Sequence, residues 1–496
     1  MLCDVRRRLA DPTMWSLAGV VLAAALLRFS DLGARSFWRD EGATVELVRR
    51  SFVSMLRALP GSEGTPPLYY VLIWPWSRVF GSDEVGLRSF SALVGTATVL
   101  VVYAIAAELV SNRAALVAAG LSAVSPLLVW HSQDARSYAL LVLFSSLSFL
   151  LFVRSLRAPT VRTLTLWALA SSLALATHYF ALFAVAPEAL WLAVSAGAGR
   201  SSRVVWATAG IAVVGAALTP LALAQRSNGA WIKEVPRGHR IYEVGENFLV
   251  GPQAPRPKLL SGLAGLLVLI GFALFAAYGR ERERRMSAIA GGIGASALLL
   301  PLLLSLAGLD YVLARNLIVA WVPFVMLVAA GLAVRGAALI AAPTLCALLA
   351  LAVTVDVATA HKPKFRAEDW RSAARAVGPA GPARAIVVVP DAGIYPLLAY
   401  RTGARSLPAN GARVREVVVV AIGPSRHELG RGGDYPLPPA SLFQEVERRD
   451  GRYFTLLRFR SPTRRFVTPA TLGIGRPGLR LAAGLLDGPP AGSPRR

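Results

Sequence analysis

Apolar residues along this chain fall in long blocks instead of alternating with polar ones. Runs rich in Ala, Leu, Val and Gly recur at roughly 14–29, 87–109, 114–130, 138–153, 164–180, 181–197, 204–223, 259–278, 287–307, 316–334 and 337–357. A helix of about 20 apolar residues crosses a hydrocarbon core of about 30 Å, so the pattern predicts about eleven membrane-spanning helices. Past Asp356 the pattern changes to that of a water-soluble protein. A helix near Arg366–Val377, a strand at Ala385–Val389, a second helix near Ile394–Arg401 and a strand at Val414–Ile422 predict a small α/β unit. Its last pair of elements, around Gln444–Arg448 and Tyr453–Phe459, is joined by Asp450-Gly451, a strong hairpin signal. Gly, Pro and Arg dominate beyond Pro469 and predict a disordered tail. The expected architecture is an all-α polytopic membrane domain over 1–360 with an outer loop at 30–86, an extracytoplasmic α/β domain over 361–468, and the tail 469–496.

Composition supports the membrane reading. The 496 residues are 55% hydrophobic and 17% charged, whereas a soluble domain carries about 25% charged residues. A net charge of +24 would point to nucleic acid in a soluble protein. Here much of the arginine lies in short gaps between apolar blocks, which is a topological signal and excludes a nucleic-acid footprint. With the N-terminus cytoplasmic, every inside gap is basic: Arg113, then Arg154, Arg157 and Arg162, then Arg200 and Arg203, then Arg280, Arg282, Arg284 and Arg285, then Arg335. The loop 30–86, the gap Ser132–Arg136, the His178-Tyr179 turn, the loop 224–258, the stretch Gly308–Arg315 and the C-terminal domain then face outward. Arg6-Arg7-Arg8 before the apolar run from Met14 to Leu27 could be read as a signal peptide; a retained first helix is expected instead, since no small-x-small cleavage site follows and ten more spans do. Cys3 and Cys346 make no disulfide framework.

Acidic residues are scarce, so those at the outer helix ends carry most of the chemical information. Asp40 and Glu41 follow Phe37-Trp38 just beyond the first helix. A carboxylate in such a half-dry setting tends to bind its proton more tightly and can serve as a general base. The competing reading is helix capping, with both acids favoured by the dipole of the amphipathic stretch Ala43–Leu59. Thr65-Pro66-Pro67-Leu68-Tyr69-Tyr70 reads as a rigid approach to the next apolar segment. The second outer gap crowds His131, Asp134 and Arg136 together, with a solvated Asp134–Arg136 pair as the competing reading. His178-Tyr179 ends a span on the same face, and Arg315 is the cation best placed for a lipid phosphate, or else a snorkelling arginine. Boundary groups that converge in this way form a functional hypothesis. No Gly-rich phosphate loop, zinc spacing or Gly-x-Ser-x-Gly elbow is present.

Four motifs in order carry a family resemblance: Phe37-Trp38-Arg39-Asp40-Glu41, Thr65-Pro66-Pro67-Leu68-Tyr69-Tyr70, Phe80-Gly81-Ser82-Asp83-Glu84 to Arg88-Ser89-Phe90-Ser91-Ala92, and Ser132-Gln133-Asp134-Ala135-Arg136-Ser137-Tyr138. Thr177-His178-Tyr179-Phe180, Ala314-Arg315-Asn316-Leu317 and Glu368-Asp369-Trp370-Arg371 extend it. The chain resembles bacterial membrane glycosyltransferases of the type-C fold and is similar to their glycosyltransferase family 39 branch, the protein O-mannosyltransferase and aminoarabinose-transferase relatives. The resemblance implies transfer of a sugar from a polyprenyl-phosphate donor to an acceptor glycan, lipid or protein on the outer face of the cytoplasmic membrane. It implies Asp40 as base with Glu41 beside it, and Asp134 as a helper near the acceptor or a divalent metal, for which Asp134 and Glu41 are the expected ligands. Arg315 and Arg136 are expected at the donor phosphate, and His131, His178, Tyr179 and Tyr69 at the substrate. Thr65 stands where many relatives carry His or Lys, so no phosphate contact is carried to it.

The alternative is a polytopic transporter or flippase of lipid-linked intermediates. That reading calls for charges near the bilayer midplane and symmetric broken helices. The spans are nearly free of such charges; Glu108 and Glu188 are candidate exceptions, and both are expected near helix ends.

Overall fold

In a computed structural model of the protein, residues 12–196, 201–361, 368–381, 383–423, 435–477 and 479–487 are described. Cys3, Arg6-Arg7-Arg8, Arg200, the expected helix start at Arg366 and the end of the tail lie outside the described residues. The chain forms two compact units that interleave along the sequence. One collects Met1–Leu32, Phe52–Gly81 and Val85–His361, the other Gly33–Ser51, Ser82–Glu84 and Lys362–Arg496.

The first unit is helical. Among the described residues seven helices are long and apolar enough to cross a membrane: Pro12–Phe29, Glu84–Leu109, Tyr138–Arg157, Ser202–Glu234, Pro257–Tyr278, Glu281–Leu306 and Ala338–His361. An eighth is broken, its halves Asn112–Ala123 and Pro126–Ser132 meeting at 57°. Sequence explains the break: Ser125 caps the second half and Pro126 opens it, where a missing N–H costs nothing. Three shorter apolar helices, Val161–Thr177, Tyr179–Ser195 and Ile318–Leu332, take up the remaining expected blocks. Within Tyr138–Arg157 67% of the apolar window is buried, against 11% for Ser202–Glu234, so the former is central and the latter faces lipid. Small residues bring backbones together: a Cβ on Gly331 would lie 1.9 Å from the Gly271 carbonyl oxygen, a close approach typical of membrane helix pairs.

Two expectations need correcting here. The amphipathic stretch Ala43–Leu59 is two helices, Arg39–Arg49 and Phe52–Ser62, separated at Ser51. Glu188 does not lie at a helix end: it is fully buried in the middle of Leu182–Ser195, accepting from Ser148 Oγ at 2.6 Å and Trp167 Nε1 at 2.9 Å. Those donors on two neighbouring helices are what makes its burial tolerable. Glu108 does end its helix, paired with Arg154 at 3.1 Å and Arg157 at 2.5 Å.

The second unit holds a six-stranded sheet of order β2-β6-β1-β3-β5-β4. Its strands are β1 Arg384–Val389, β2 Arg405–Ser406, β3 Ala412–Ile422, β4 Gln444–Asp450, β5 Phe454–Val467 and β6 Ala483–Leu486. Strands β1 and β3 pair in parallel, and the other pairs are antiparallel. The period of two sends Val387, Val389, Val417 and Val419 into one core and Ile386, Val388, Val418 and Val420 into another. Helices Trp370–Val377 and Ile394–Tyr400 close the second core through Trp370, Ala373 and Leu397. The hairpin at Asp450-Gly451 forms as expected. The expected tail is corrected by β6, whose Leu485 is fully buried and which pairs with β1 and β2. Four residues between strands of distant sequence gain order from pairing that local composition does not register.

Candidate active site

The broken span delivers the polar residues of the first unit. After Pro126–Ser132 the chain leaves helical geometry until Tyr138, so Asp134 and Arg136 project from a short irregular turn and His131 from the end of the helix before it. All three are buried, at 5%, 4% and 6% exposure, which rules out the solvated surface pair. His131 Nδ1 stands 3.9 Å from Asp134 Oδ2. Arg136 donates through both terminal nitrogens to Glu63, each at 2.8 Å, and to the Tyr70 hydroxyl at 3.1 Å. Two parallel charge-assisted bonds fix the guanidinium plane.

Aromatic rings continue the cluster. The Tyr138 ring lies 4.9 Å from His131 and 6.0 Å from His178, and Tyr69 packs edge-on against Tyr70 at 5.3 Å. His178 sits in the turn between two apolar helices, its Nδ1 accepting from Phe180 N at 3.3 Å. Burial, reinforced by Arg136 and Arg315, pushes its pKa down to about 3, so the ring is neutral at physiological pH. Arg315 lies over the Trp231 ring at 5.5 Å. The Tyr179 hydroxyl donates to Gln225 Oε1 at 2.7 Å, and Gln225 Nε2 donates to the carbonyls of Leu59 and Thr65 at 3.3 and 3.1 Å. That link ties the His178-Tyr179 turn to the Pro66-Pro67 approach. The unit therefore brings together His131, Asp134, Arg136, His178, Tyr179, Tyr69 and Arg315.

Glu63, Tyr70 and Gln225 belong to the cluster and escaped sequence reasoning. A signal existed for Glu63, the one acidic residue between Glu46 and Asp83. Its loop is pinned by Asn228 Nδ2, which donates to the carbonyls of Pro60 at 3.2 Å and Glu63 at 2.6 Å.

Asp40 and Glu41 occupy the first turn of Arg39–Arg49 in the second unit, Glu41 buried and Asp40 half-buried. A helix N-terminus favours negative charge there. Nearby Glu368 accepts from Arg39 N and Trp370 Nε1, both at 3.3 Å. Burial raises its pKa, the two hydrogen bonds oppose the rise, and the charge of Asp40 adds to it. Among the described residues no group of three or more His, Cys, Asp or Glu side chains is placed to hold a metal ion.

An apolar cavity of about 280 Å³ opens in the first unit, lined by Pro126, Phe248, Val268, Trp321, Val325 and Leu348 among others. The short helix that starts at Pro126 carries His131 near its other end. Five residues of helix rise about 7 Å, so the apolar cavity and the polar cluster are near neighbours.

A bundle of apolar helices with a buried polar cluster, accompanied by a small α/β unit, is a fold shared with solved membrane proteins. The fold aligns with ArnT from Cupriavidus metallidurans bound to undecaprenyl phosphate at a TM-score of 0.54 and 14% identity, covering 90% of this chain and 98% of that one. ArnT from the same organism in the apo state aligns at 0.54 and 13% identity, covering 90% and 97%. The S. cerevisiae protein O-mannosyltransferase Pmt1-Pmt2 complex bound to the sugar donor aligns over 42% of this chain and 33% of that one, at 18% identity and a TM-score of 0.34. No curated protein matches the sequence. Residues 64–223 match the family described as dolichyl-phosphate-mannose-protein mannosyltransferase. The chain is a multi-pass membrane protein that shares the fold of ArnT and is similar to that family over residues 64–223.

Proposed function

We propose that the protein transfers a sugar from a polyprenyl-phosphate carrier to an acceptor hydroxyl on the outer face of the cytoplasmic membrane. The observation that carries this reading is the apolar cavity beside the polar cluster, joined to it by the helix Pro126–Ser132. A lipid-linked sugar has the same two-part chemistry, an apolar chain and a charged, hydroxyl-rich head. The undecaprenyl phosphate bound to ArnT supports the same donor class.

In this reaction the acceptor hydroxyl attacks the anomeric carbon, the bond from that carbon to the phosphate oxygen breaks, and the lipid phosphate leaves with the electron pair. Asp40 takes the hydroxyl proton, and Glu41 supports it. The departing phosphate needs no protonating acid, only a cation. Arg315 serves that role first, because the charge of Arg136 is already balanced by Glu63. Neutral His178, with His131, Tyr69 and Tyr179, offers hydrogen-bonding groups for the sugar, and Asp134 orients the acceptor. Direct displacement inverts the anomeric configuration. The acceptor is a glycan, lipid or protein. The N-terminus lies in the cytoplasm, with the membrane domain ending near residue 360 and the α/β domain outside.

Asp40→Asn keeps the size of the side chain and removes the proton acceptor. Turnover is expected to fall by at least about 10²-fold while the donor still binds, since a general base contributes about 10²–10⁴. Near-normal turnover in the purified variant would exclude Asp40 as the base and move that role to Glu41 or Asp134.

A further inference from the structure

The run Phe37-Trp38-Arg39-Asp40-Glu41 enters its helix along hydrogen bonds made by residues remote in sequence, all within the second unit. Arg371 donates to the carbonyls of Gly33 at 2.8 Å and Arg35 at 3.2 Å. The Tyr400 hydroxyl accepts from Phe37 N at 2.7 Å and donates to Glu84 Oε1, the same oxygen that accepts from Arg371 at 2.7 Å. Ser36 Oγ donates to the Glu368 carbonyl and accepts from Trp370 N at 3.2 Å. Behind the motif a Cβ on Gly42 would lie 2.4 Å from the Pro396 nitrogen, so the helix Arg39–Arg49 sits directly on Ile394–Tyr400.

Such bonding exceeds what a connecting loop requires. An exposed loop leaves its backbone groups to water, whereas here two carbonyls and one N–H ahead of the helix are claimed by Arg371 and Tyr400. The node is self-consistent: burial first, then the bond to Glu84, raises the Tyr400 pKa, so its hydroxyl keeps the proton it donates. Burial alone would lower the Arg371 pKa, and the pair with Glu84 raises it overall.

We infer that Arg371, Tyr400 and Glu84 are positioning residues that lock the backbone of Gly33–Arg39 and so hold the Asp40 carboxylate in one orientation. This assigns the C-terminal α/β domain a part in the reaction. The inference rests on Asp40 acting as the base. A base must be held within a fraction of an ångström, and a displacement of about 1 Å can cost about 10²-fold in rate.

Tyr400→Phe removes the hydroxyl and keeps the ring that packs 6.0 Å from Phe37. In the full-length protein in lipid nanodiscs, two readouts are taken: transfer from a polyprenyl-phosphate sugar, and amide hydrogen exchange in the peptide 33–42. Turnover is expected to fall about tenfold or more, with donor KM changed less than about twofold and exchange at Phe37 increased. Arg371→Lys should retain more turnover than Arg371→Ala, and Arg464→Ala, at an exposed arginine of the same domain, should match the wild type. Unchanged turnover in Tyr400→Phe, or a loss that only tracks lost folded protein, overturns the inference, as does unchanged exchange at Phe37. The exchange readout needs no turnover, so an inactive wild-type protein would remove the proposed function separately.

Discussion

At the scale of single residues, burial decides what each charged group does. Asp310 accepts from Arg240 at 2.8 and 2.7 Å and from Arg237 at 3.4 Å. Those bonds, Arg240 foremost, pull its pKa from 3.8 down to about 2. A carboxylate with a lowered folded pKa stabilises the fold above its ordinary value and loses that contribution as pH falls through the folded value. The contribution is on the order of 2 kcal/mol. Thermal unfolding of the wild type and Asp310→Asn should therefore differ by a constant amount above about pH 5, and the gap should close as pH falls from about 4 toward 2. A gap that stays open at pH 2 would contradict this account of the pair. Sequence made Asp134, Arg136, His131 and His178 legible as candidates, because charged residues flanking apolar blocks stand out. It did not disclose their partners. The Arg136–Glu63 bond joins positions 73 residues apart, and no spacing rule connects positions that meet only through tertiary packing.

At the scale of elements, block length and loop charge were readable and pairing was not. The eleven apolar blocks fall on helices of unequal length: among the described residues seven are long enough to span a membrane, one block is broken in two, and three are shorter. In the α/β unit the strands β1, β3, β4 and β5 were legible from apolar runs and the Asp-Gly turn. Strand β6 was not, because its order comes from β1 and β2. Nor was the membership of Gly33–Ser51 in the second unit, since the bonds of Ser36, Phe37 and Arg39 to Glu368 and Tyr400 span most of the chain. Loop charge also makes a testable statement about orientation. In a chain lacking Cys3 and Cys346, a cysteine replacing Ala392 should react with a membrane-impermeant thiol reagent on intact cells, and one replacing Arg284 should not. Labelling at 284 with protection at 392 would invert the proposed topology.

At the scale of the whole molecule, an enzyme and a transporter of lipid-linked sugars share apolar helices and an apolar cavity, and they differ in what they do to the glycosidic bond. Glu188 and Arg28 are charged groups buried among the helices, but each is engaged by fixed neighbours: Ser148 and Trp167 in one case, the carbonyls of Ser122 and Ala123 in the other. Such bonds tie neighbouring helices together. The central claim is that the bond between sugar and lipid phosphate is broken. Purified protein in nanodiscs, given a polyprenyl-phosphate sugar labelled in the lipid and a mixture of envelope acceptors, should release free polyprenyl phosphate, and Asp40→Asn should release at least about 10²-fold less. Movement of intact lipid-linked sugar across the bilayer, with no free polyprenyl phosphate formed, would contradict the account.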